Sequence, residues 1–208
     1  MTMLSRLKKA FKLQRQWEED IDHIRRARIE PRFAAPYVPT PLNVVREMLS
    51  FGEVGKDDLL YDLGCGDGRL LLTAAIEYGA RCVGIEIRED LVEVATNAIR
   101  KAGMESRVSL IHGDMFQQDL SEATAVMLYL LSAVNVHLKP KFERELRAGT
   151  RIVCHDFGIE GWGPSASKEV KGRIMKHMLY LYRIHLPARS RTLDNPNIDP
   201  DRLRPADL

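Results

Sequence analysis

Cysteine is scarce in this sequence: Cys65, Cys82 and Cys154 are the only three among 208 residues, and no two form a CxxC pair. Such spacing excludes a disulfide framework and a cysteine-based zinc site, and it points to a reducing, cytoplasmic compartment. Long apolar runs are missing too, so no stretch approaches the length needed to span a bilayer. At the N-terminus, charges separate Leu4, Leu7 and Phe11, which leaves no apolar core for a secretory signal. The six histidines show no metal-binding spacing such as HExxH, and no metal is expected. Net charge is only +2, too little to imply a polyanionic partner for the chain as a whole. No internal repeat is visible. What remains is an ordinary composition for one globular domain with a sizeable core: 45% hydrophobic and 29% charged.

The charge that exists is unevenly placed. Residues 1–28 hold 8 of the 31 basic residues and 4 of the 29 acidic ones. Residues 3–28 read as an amphipathic helix, with Leu4, Leu7, Phe11, Trp17, Ile21 and Ile24 near helical spacing. Two readings of it stay open. It packs on the domain or on a second subunit, making an oligomer, or it is a basic arm for membrane or nucleic acid. Contact with nucleic acid or membrane is expected through this helix alone. It defines an N-terminal extension, residues 1–33.

A domain spanning residues 34–186 follows. Its first segment, to Pro41, is rich in proline and should be extended. A helix is predicted from Leu42 to Phe51, with Thr40 as N-cap and Pro41 at its first position. Strands and helices then alternate. Strands are predicted at Leu59–Leu63, Arg81–Ile87, Arg107–His112, Ala123–Leu131 and Arg151–Phe157. Helices are predicted at Arg69–Tyr78, Asp90–Ala102 and Val134–Leu146. Continuous apolar strands between helices indicate an α/β fold, a doubly wound parallel sheet covered on both faces. After Phe157 the alternation breaks: Lys168–Arg173 and Met178–Leu186 read as an antiparallel hairpin closing the sheet. Residues 187–208, with four prolines and little apolar content, read as a poorly ordered tail.

The strongest chemical signal is Tyr61-Asp62-Leu63-Gly64-Cys65-Gly66-Asp67-Gly68, where a strand ends and a helix begins. Ligands of doubly wound sheets bind at the carboxyl ends of strands. Glycines there allow a tight turn and let a ligand approach backbone N–H groups. The spacing is GxGxG, with Arg69 next, rather than the GxGxxG of a dinucleotide site. Asp62 would repel a pyrophosphate and attract an ammonium or a sulfonium. Glu86, with Ile87, ends the next strand, 24 residues after Asp62, where an acid can accept from ribose hydroxyls. Asp114 follows the third strand, placed to accept from an adenine amine, with Met115 or Phe116 to pack on the ring. Together these residues describe a pocket for a ribosylated adenine with a cationic tail.

Asp62–Gly68, Glu86 and Asp114 resemble the signature of class I S-adenosylmethionine-dependent methyltransferases. The likeness extends through Tyr37-Val38-Pro39-Thr40-Pro41, YDLGCGDGR (61–69), VGIE (83–86), GTRIV (149–153) and HDF (155–157). These segments resemble archaeal protein lysine methyltransferases of broad specificity. They are also similar to mitochondrial relatives that modify a lysine of the ATP synthase membrane ring. The resemblance runs from Tyr37 to Arg183. It implies a Rossmann-like sheet of seven strands, the last antiparallel, and S-adenosylmethionine as methyl donor, with S-adenosylhomocysteine as product. It also implies a protein substrate presenting lysine.

One departure narrows the acceptor. Enzymes that methylate nucleobase or glutamine amines carry an Asn/Asp-Pro-Pro-Tyr run after the fourth strand, and this chain has Leu128-Tyr129-Leu130-Leu131-Ser132-Ala133-Val134-Asn135. A lysine amine needs alignment and deprotonation rather than electronic activation. Positioning residues are therefore expected in place of a strong base, with Tyr129, Asn135, Tyr37 and Thr40 as candidates. Tyr129 can also line the donor site. RNA or a small molecule as acceptor, and a non-catalytic binding module, are the rival readings.

Overall fold

The computed structural model describes residues 37–172 and 175–185. The amphipathic N-terminal helix, most of the proline-rich segment and the C-terminal tail lie outside the described residues. Within them the elements are α1 (Leu42–Phe51), β1 (Leu59–Leu63), α2 (Arg69–Thr73, running into a π-helical turn over Ala74–Tyr78) and β2 (Arg81–Glu86). There follow α3 (Glu89–Ala102), β3 (Val108–His112), β4 (Ala125–Leu128), α4 (Ser132–Glu145), β5 (Arg151–His155), β6 (Ala166–Lys171) and β7 (Lys176–Arg183).

The sheet order is β3-β2-β1-β4-β5-β7-β6. Every pairing from β3 across to β5 is parallel. β7 inserts antiparallel between β5 and β6, so the expected sheet of seven strands with an antiparallel last strand is what forms. Strand order reverses between β1 and β4, which opens a crevice at their carboxyl ends.

Side chains alternate across the sheet, as strand geometry requires. Leu60, Met127 and Val153 face one layer, with Val45 and Met48 of α1, Leu71 of α2 and Ile99 of α3. Tyr61, Val126, Leu128, Ile152 and Cys154 face the other, with Leu138 and Phe142 of α4. Each fully buried side chain of this kind contributes ~1.5–3 kcal/mol. In α4 the inward positions Val134, Asn135, Leu138, Lys141 and Phe142 follow helical spacing. Lys141 among them is held by Glu145 at 2.8 Å. α3 carries Glu89 and Asp90 in its first turn and Arg100 and Lys101 in its last, each opposing the local end of the helix dipole. At the amino ends of the strands, away from the crevice, Asp58 takes an ion pair from Arg151 and a 2.6 Å hydrogen bond from the Thr124 hydroxyl.

Several boundaries differ from expectation for identifiable reasons. β4 stops at Leu128 rather than Leu131 because Leu63 is its last partner on β1 and Gly64 turns away at φ 80°. β5 ends at His155 because Asp156 takes φ 58°. β6 and β7 each start two residues earlier than predicted. In α2, Thr73 Oγ donates to the Arg69 carbonyl at 2.7 Å, a contact that bends helices, and the π turn follows it. Thr40 is not the N-cap of α1. Pro41 holds that position with extended torsions, no side chain caps the helix, and the Thr40 hydroxyl turns to His155 instead.

Gly84 in β2 shows how closely α2 and its preceding loop sit on the sheet. A Cβ there would meet Leu71 Cδ1 at 2.4 Å and Cys65 Sγ at 2.7 Å. Gly84→Ala is expected to cost about 1–3 kcal/mol through overpacking, read as a lowered urea midpoint with an unchanged slope.

Candidate functional site

The crevice at the switch point is built by the loop after β1. Gly64, Gly66 and Gly68 all have positive φ, at 80°, 56° and 77°, a conformation glycine adopts without steric cost. The N–H groups of Gly64 and Cys65 both donate to the Ile85 carbonyl, at 2.8 and 3.1 Å, which pins the loop to the end of β2. Gly66 is required twice over, because a Cβ there would also lie 2.7 Å from the Tyr37 ring. Tyr37 thus covers the glycine loop, and Gly68 caps α2.

Three carboxylates face this region in different states. Glu86 is fixed by backbone: its Oε2 accepts from Gly66 N–H and its Oε1 from Ile87 and Arg88 N–H, each at 2.9 Å. Asp67 is 2% exposed and holds Arg69 bidentately, with Nη2 to Oδ2 at 2.6 Å and Nε to Oδ1 at 3.0 Å. Arg69 Nη1 also donates to the Thr40 carbonyl at 3.0 Å, which clasps the extended segment over the loop. Asp62 is different. It is 6% exposed, and its carboxyl takes no hydrogen bond or ion pair among the described residues. Burial, then the nearby charges of Glu86 and Asp67, push its carboxyl up to about 8. The Cys65 thiol is likewise pushed well up by burial and by Asp62, so it is an inert wall.

Of the residues singled out from sequence, Tyr37, Thr40, Asp62, Gly64, Cys65, Gly66, Glu86, Ile87, Met115 and Tyr129 all line one pocket, joined by Leu128 and Leu130. Gly68, the N-cap of α2, is outside that lining. Two further residues sit elsewhere. Asp114 lies outside the lining and caps its own turn, its Oδ1 accepting from Phe116 N–H at 2.9 Å. Asn135 is fully buried on α4 and its Nδ2 donates to the Phe157 carbonyl at 2.8 Å, so it secures the loop after β5 from outside the lining.

Sequence reasoning missed the Asp67–Arg69 clasp and the role of His177. His177 of β7 meets His155 and Asp156 at the end of β5. His155 Nε2 lies 2.9 Å from His177 Nδ1, which lies 2.9 Å from Asp156 Oδ2. His155 Nε2 is 3.4 Å from the same oxygen. Although this trio has the residue types of a metal site, two separations of 2.9 Å are those of hydrogen bonds. Ligands around an ion at ~2.0–2.1 Å in tetrahedral geometry stand farther apart. The Tyr129 ring stacks on His155 with centroids 3.9 Å apart. Burial and the adjacent Asp156 raise the Tyr129 hydroxyl above its ordinary range. Nothing in the spacing of residues 155 and 177 signals this contact, which the strand pairing creates.

Comparison with known proteins agrees with this geometry. Residues 62–166 match the family model described as the ANTKMT methyltransferase domain. A protein-lysine N-methyltransferase of Saccharolobus islandicus is 48% identical over 150 residues, covering 72% of this chain and 93% of the relative. The adenine nucleotide translocase lysine N-methyltransferase of Mus musculus is 33% identical over 142 residues, 67% of this chain. There the match spans only 60% of the relative's length. Among solved structures, an RNA methyltransferase from Salinibacter ruber in complex with S-adenosyl-L-homocysteine has a TM-score of 0.69 and 43% identity. It covers 73% of this chain and 97% of that one. With the matched segment beginning at Asp62 and taking in the glycine loop and Glu86, the chain belongs to the methyltransferase family defined by that domain.

Proposed function

We propose that this methyltransferase moves a methyl group from S-adenosylmethionine to the side-chain amine of lysine in a protein. The observation that carries the donor half is Asp62: a buried carboxyl without a partner, beside Glu86 and above a glycine bend, is a seat for a cation that ionises it. An adenosyl ligand whose tail carries an ammonium and a sulfonium supplies that cation. On this reading Asp62 takes the ammonium, Glu86 the ribose hydroxyls, and Ile87 and Met115 the adenine faces. The 48% identical Saccharolobus islandicus protein supports lysine as acceptor.

When bound, S-adenosylmethionine supplies a methyl group on sulfur for in-line displacement. The chain's part is to position and to dry. Holding the acceptor amine ~3–3.5 Å from the methyl carbon can account for ~7–11 kcal/mol of the barrier. Lysine is protonated at neutral pH, and its neutral form costs about 4–5 kcal/mol at pH 7. An apolar approach beside a sulfonium reduces that cost by desolvation and like-charge repulsion. Leu128 and Leu130 provide apolar wall, and Tyr129 is the positioning residue. No strong base is required.

The Salinibacter ruber structure, that of an RNA methyltransferase, supports a second acceptor reading. The two separate in one experiment. Incubation with methyl-labelled S-adenosylmethionine and a cell extract is expected to label protein, with methyl-lysine recovered after hydrolysis. Label confined to RNA or small molecules would remove the lysine reading. A cytoplasmic setting belongs to the same proposal, supported by three buried free thiols. So does the division into an extension (1–33), a catalytic domain (34–186) and a tail (187–208), supported by described elements that all fall between Leu42 and Arg183.

A further inference from the structure

A second cavity lies at the end of the sheet opposite the crevice. Arg183 of β7 pairs with Arg151 at the amino end of β5, whereas the crevice lies beyond His155 at the carboxyl end. Arg151 and His155 stand about 13 Å apart along the strand, at ~3.3 Å per residue. The cavity measures about 550 Å³, and Glu143, Trp162, Tyr182 and Arg183 are among its lining. That size is ordinary for a ligand pocket, ~300–1,000 Å³. None of its residues lines the crevice.

Its walls come from three elements that hold one another. Tyr182 belongs to β7, and its hydroxyl oxygen accepts from the Ile159 N–H at 2.9 Å. Trp162 comes from the loop after β5, its indole N–H donating to Glu143 Oε1 of α4 at 3.3 Å. The two rings stand 6.1 Å apart at 52°, and buried Phe142 backs the indole with ring centroids 6.5 Å apart. Walls fixed in advance lose little freedom when a ligand enters. Two aromatic rings inclined to each other beside a carboxylate are the surroundings that hold a methylated ammonium.

The charges agree. Glu143 is exposed, and no cation forms an ion pair with it among the described residues. Arg183, a cation of the lining, is engaged by Glu53 at 2.6 Å. Lys139 stands outside the lining with its Nζ 5.7 Å from the indole centroid, so this ring already draws one ammonium.

We infer that this cavity binds a methylated lysine side chain, the product of the proposed reaction, at a seat separate from the crevice. Methylation removes N–H groups that bind water and leaves the charge in place. Desolvation against the rings therefore costs less than it does for unmodified lysine. The trimethyl form has no N–H donor and is held by the two π faces and the Glu143 charge. A chain so built keeps hold of a modified segment while the crevice takes the next lysine. The inference takes its ligand from the lysine reading, but binding is measured without turnover, so the two fail separately.

The test titrates the full chain, by calorimetry, with three end-capped glycine–X–glycine peptides. X is trimethyl-lysine, lysine, or the uncharged isostere of trimethyl-lysine in which carbon replaces the quaternary nitrogen. The trimethyl peptide is expected to bind about tenfold or more tightly than either of the others. Trp162→Leu keeps an apolar wall without the indole face and should weaken it about 5- to 30-fold. Because Trp162 also packs on Phe142, Glu143→Lys on the exposed side of α4 gives a second reading, and it should abolish binding. Equal affinity for the trimethyl peptide and its uncharged isostere would overturn the inference, as would no binding by the wild type. Binding that survives Glu143→Lys and is lost with Tyr129→Ala would place the peptide in the crevice and overturn it too. Selective binding that Glu143→Lys abolishes, in a chain that labels no lysine, would uphold this site and remove only the acceptor reading.

Discussion

Binding of S-adenosylmethionine at pH 7 is expected to release close to one proton, and Asp62→Asn is expected to abolish that release. In the ligand-free chain Asp62 is held at about 8 by burial and by Glu86 and Asp67, so it is mostly protonated at pH 7. A cationic ligand needs the ionised form. Affinity should therefore rise about tenfold per pH unit up to about 8 and then level off. Calorimetry in buffers of different ionisation enthalpy measures the released proton directly. The amide of Asp62→Asn cannot ionise, and affinity should fall by about 3 kcal/mol, on the order of a hundredfold.

The same group makes an opposite prediction for stability. Its folded pKa lies above its unfolded value of 3.8. Its contribution is fully present below that value and is lost as pH rises towards about 8. Ligand-free Asp62→Asn should therefore exceed the wild type in stability at pH 9, by about 2–5 kcal/mol, read by urea denaturation. A variant that is more stable and binds less well identifies a residue kept for the ligand rather than for the fold. Flat affinity between pH 5 and 8, with no buffer dependence of the heat, would remove the cation cradle.

Much of this was legible in the sequence because two periodicities and one bend carried it. Continuous apolar strands such as Val126–Leu128, set between amphipathic helices, specify a sheet covered on both faces. Gly64, Gly66 and Gly68 mark a turn that L side chains resist, and acids at the ends of β1 and β2 mark the ligand side. Less legible was whatever depends on which strands lie side by side. His177 sits in β7, and only the insertion of β7 between β5 and β6 brings it to His155. Thr40 reads equally well as a helix cap or a pocket residue, and the competition is decided by a histidine 115 residues away. Asn135 follows the fourth strand where an acceptor-binding residue would be sought. α4 begins at Ser132, however, and its periodicity carries Asn135 into the core. Asp114 shows that an acid after a strand can cap its own turn, its Oδ1 accepting from Phe116 N–H.

Arg69 is the residue whose meaning changes most between sequence and structure, and its loss is expected to be the most damaging to the fold. In the sequence it only breaks the dinucleotide spacing. In the structure it is 8% exposed and neutralises Asp67, which is 2% exposed, while holding the Thr40 carbonyl. Arg69→Met keeps much of the side-chain length and removes the charge, leaving Asp67 buried without its cation. Breaking a buried pair from one side typically costs about 3–5 kcal/mol, enough to remove a large share of a domain's ~5–15 kcal/mol. Affinity for S-adenosylmethionine should fall as well, because the Tyr37–Pro41 segment loses its clasp over the glycine loop. The double variant Asp67→Asn, Arg69→Met separates the two effects. Removing both charges should recover most of the stability, since the penalty lies in the orphaned carboxylate rather than in the pair. Affinity should stay low, since nothing then holds the Thr40 carbonyl. Recovery of both would mean that the clasp is dispensable, and recovery of neither would mean that Arg69 acts through its packing alone.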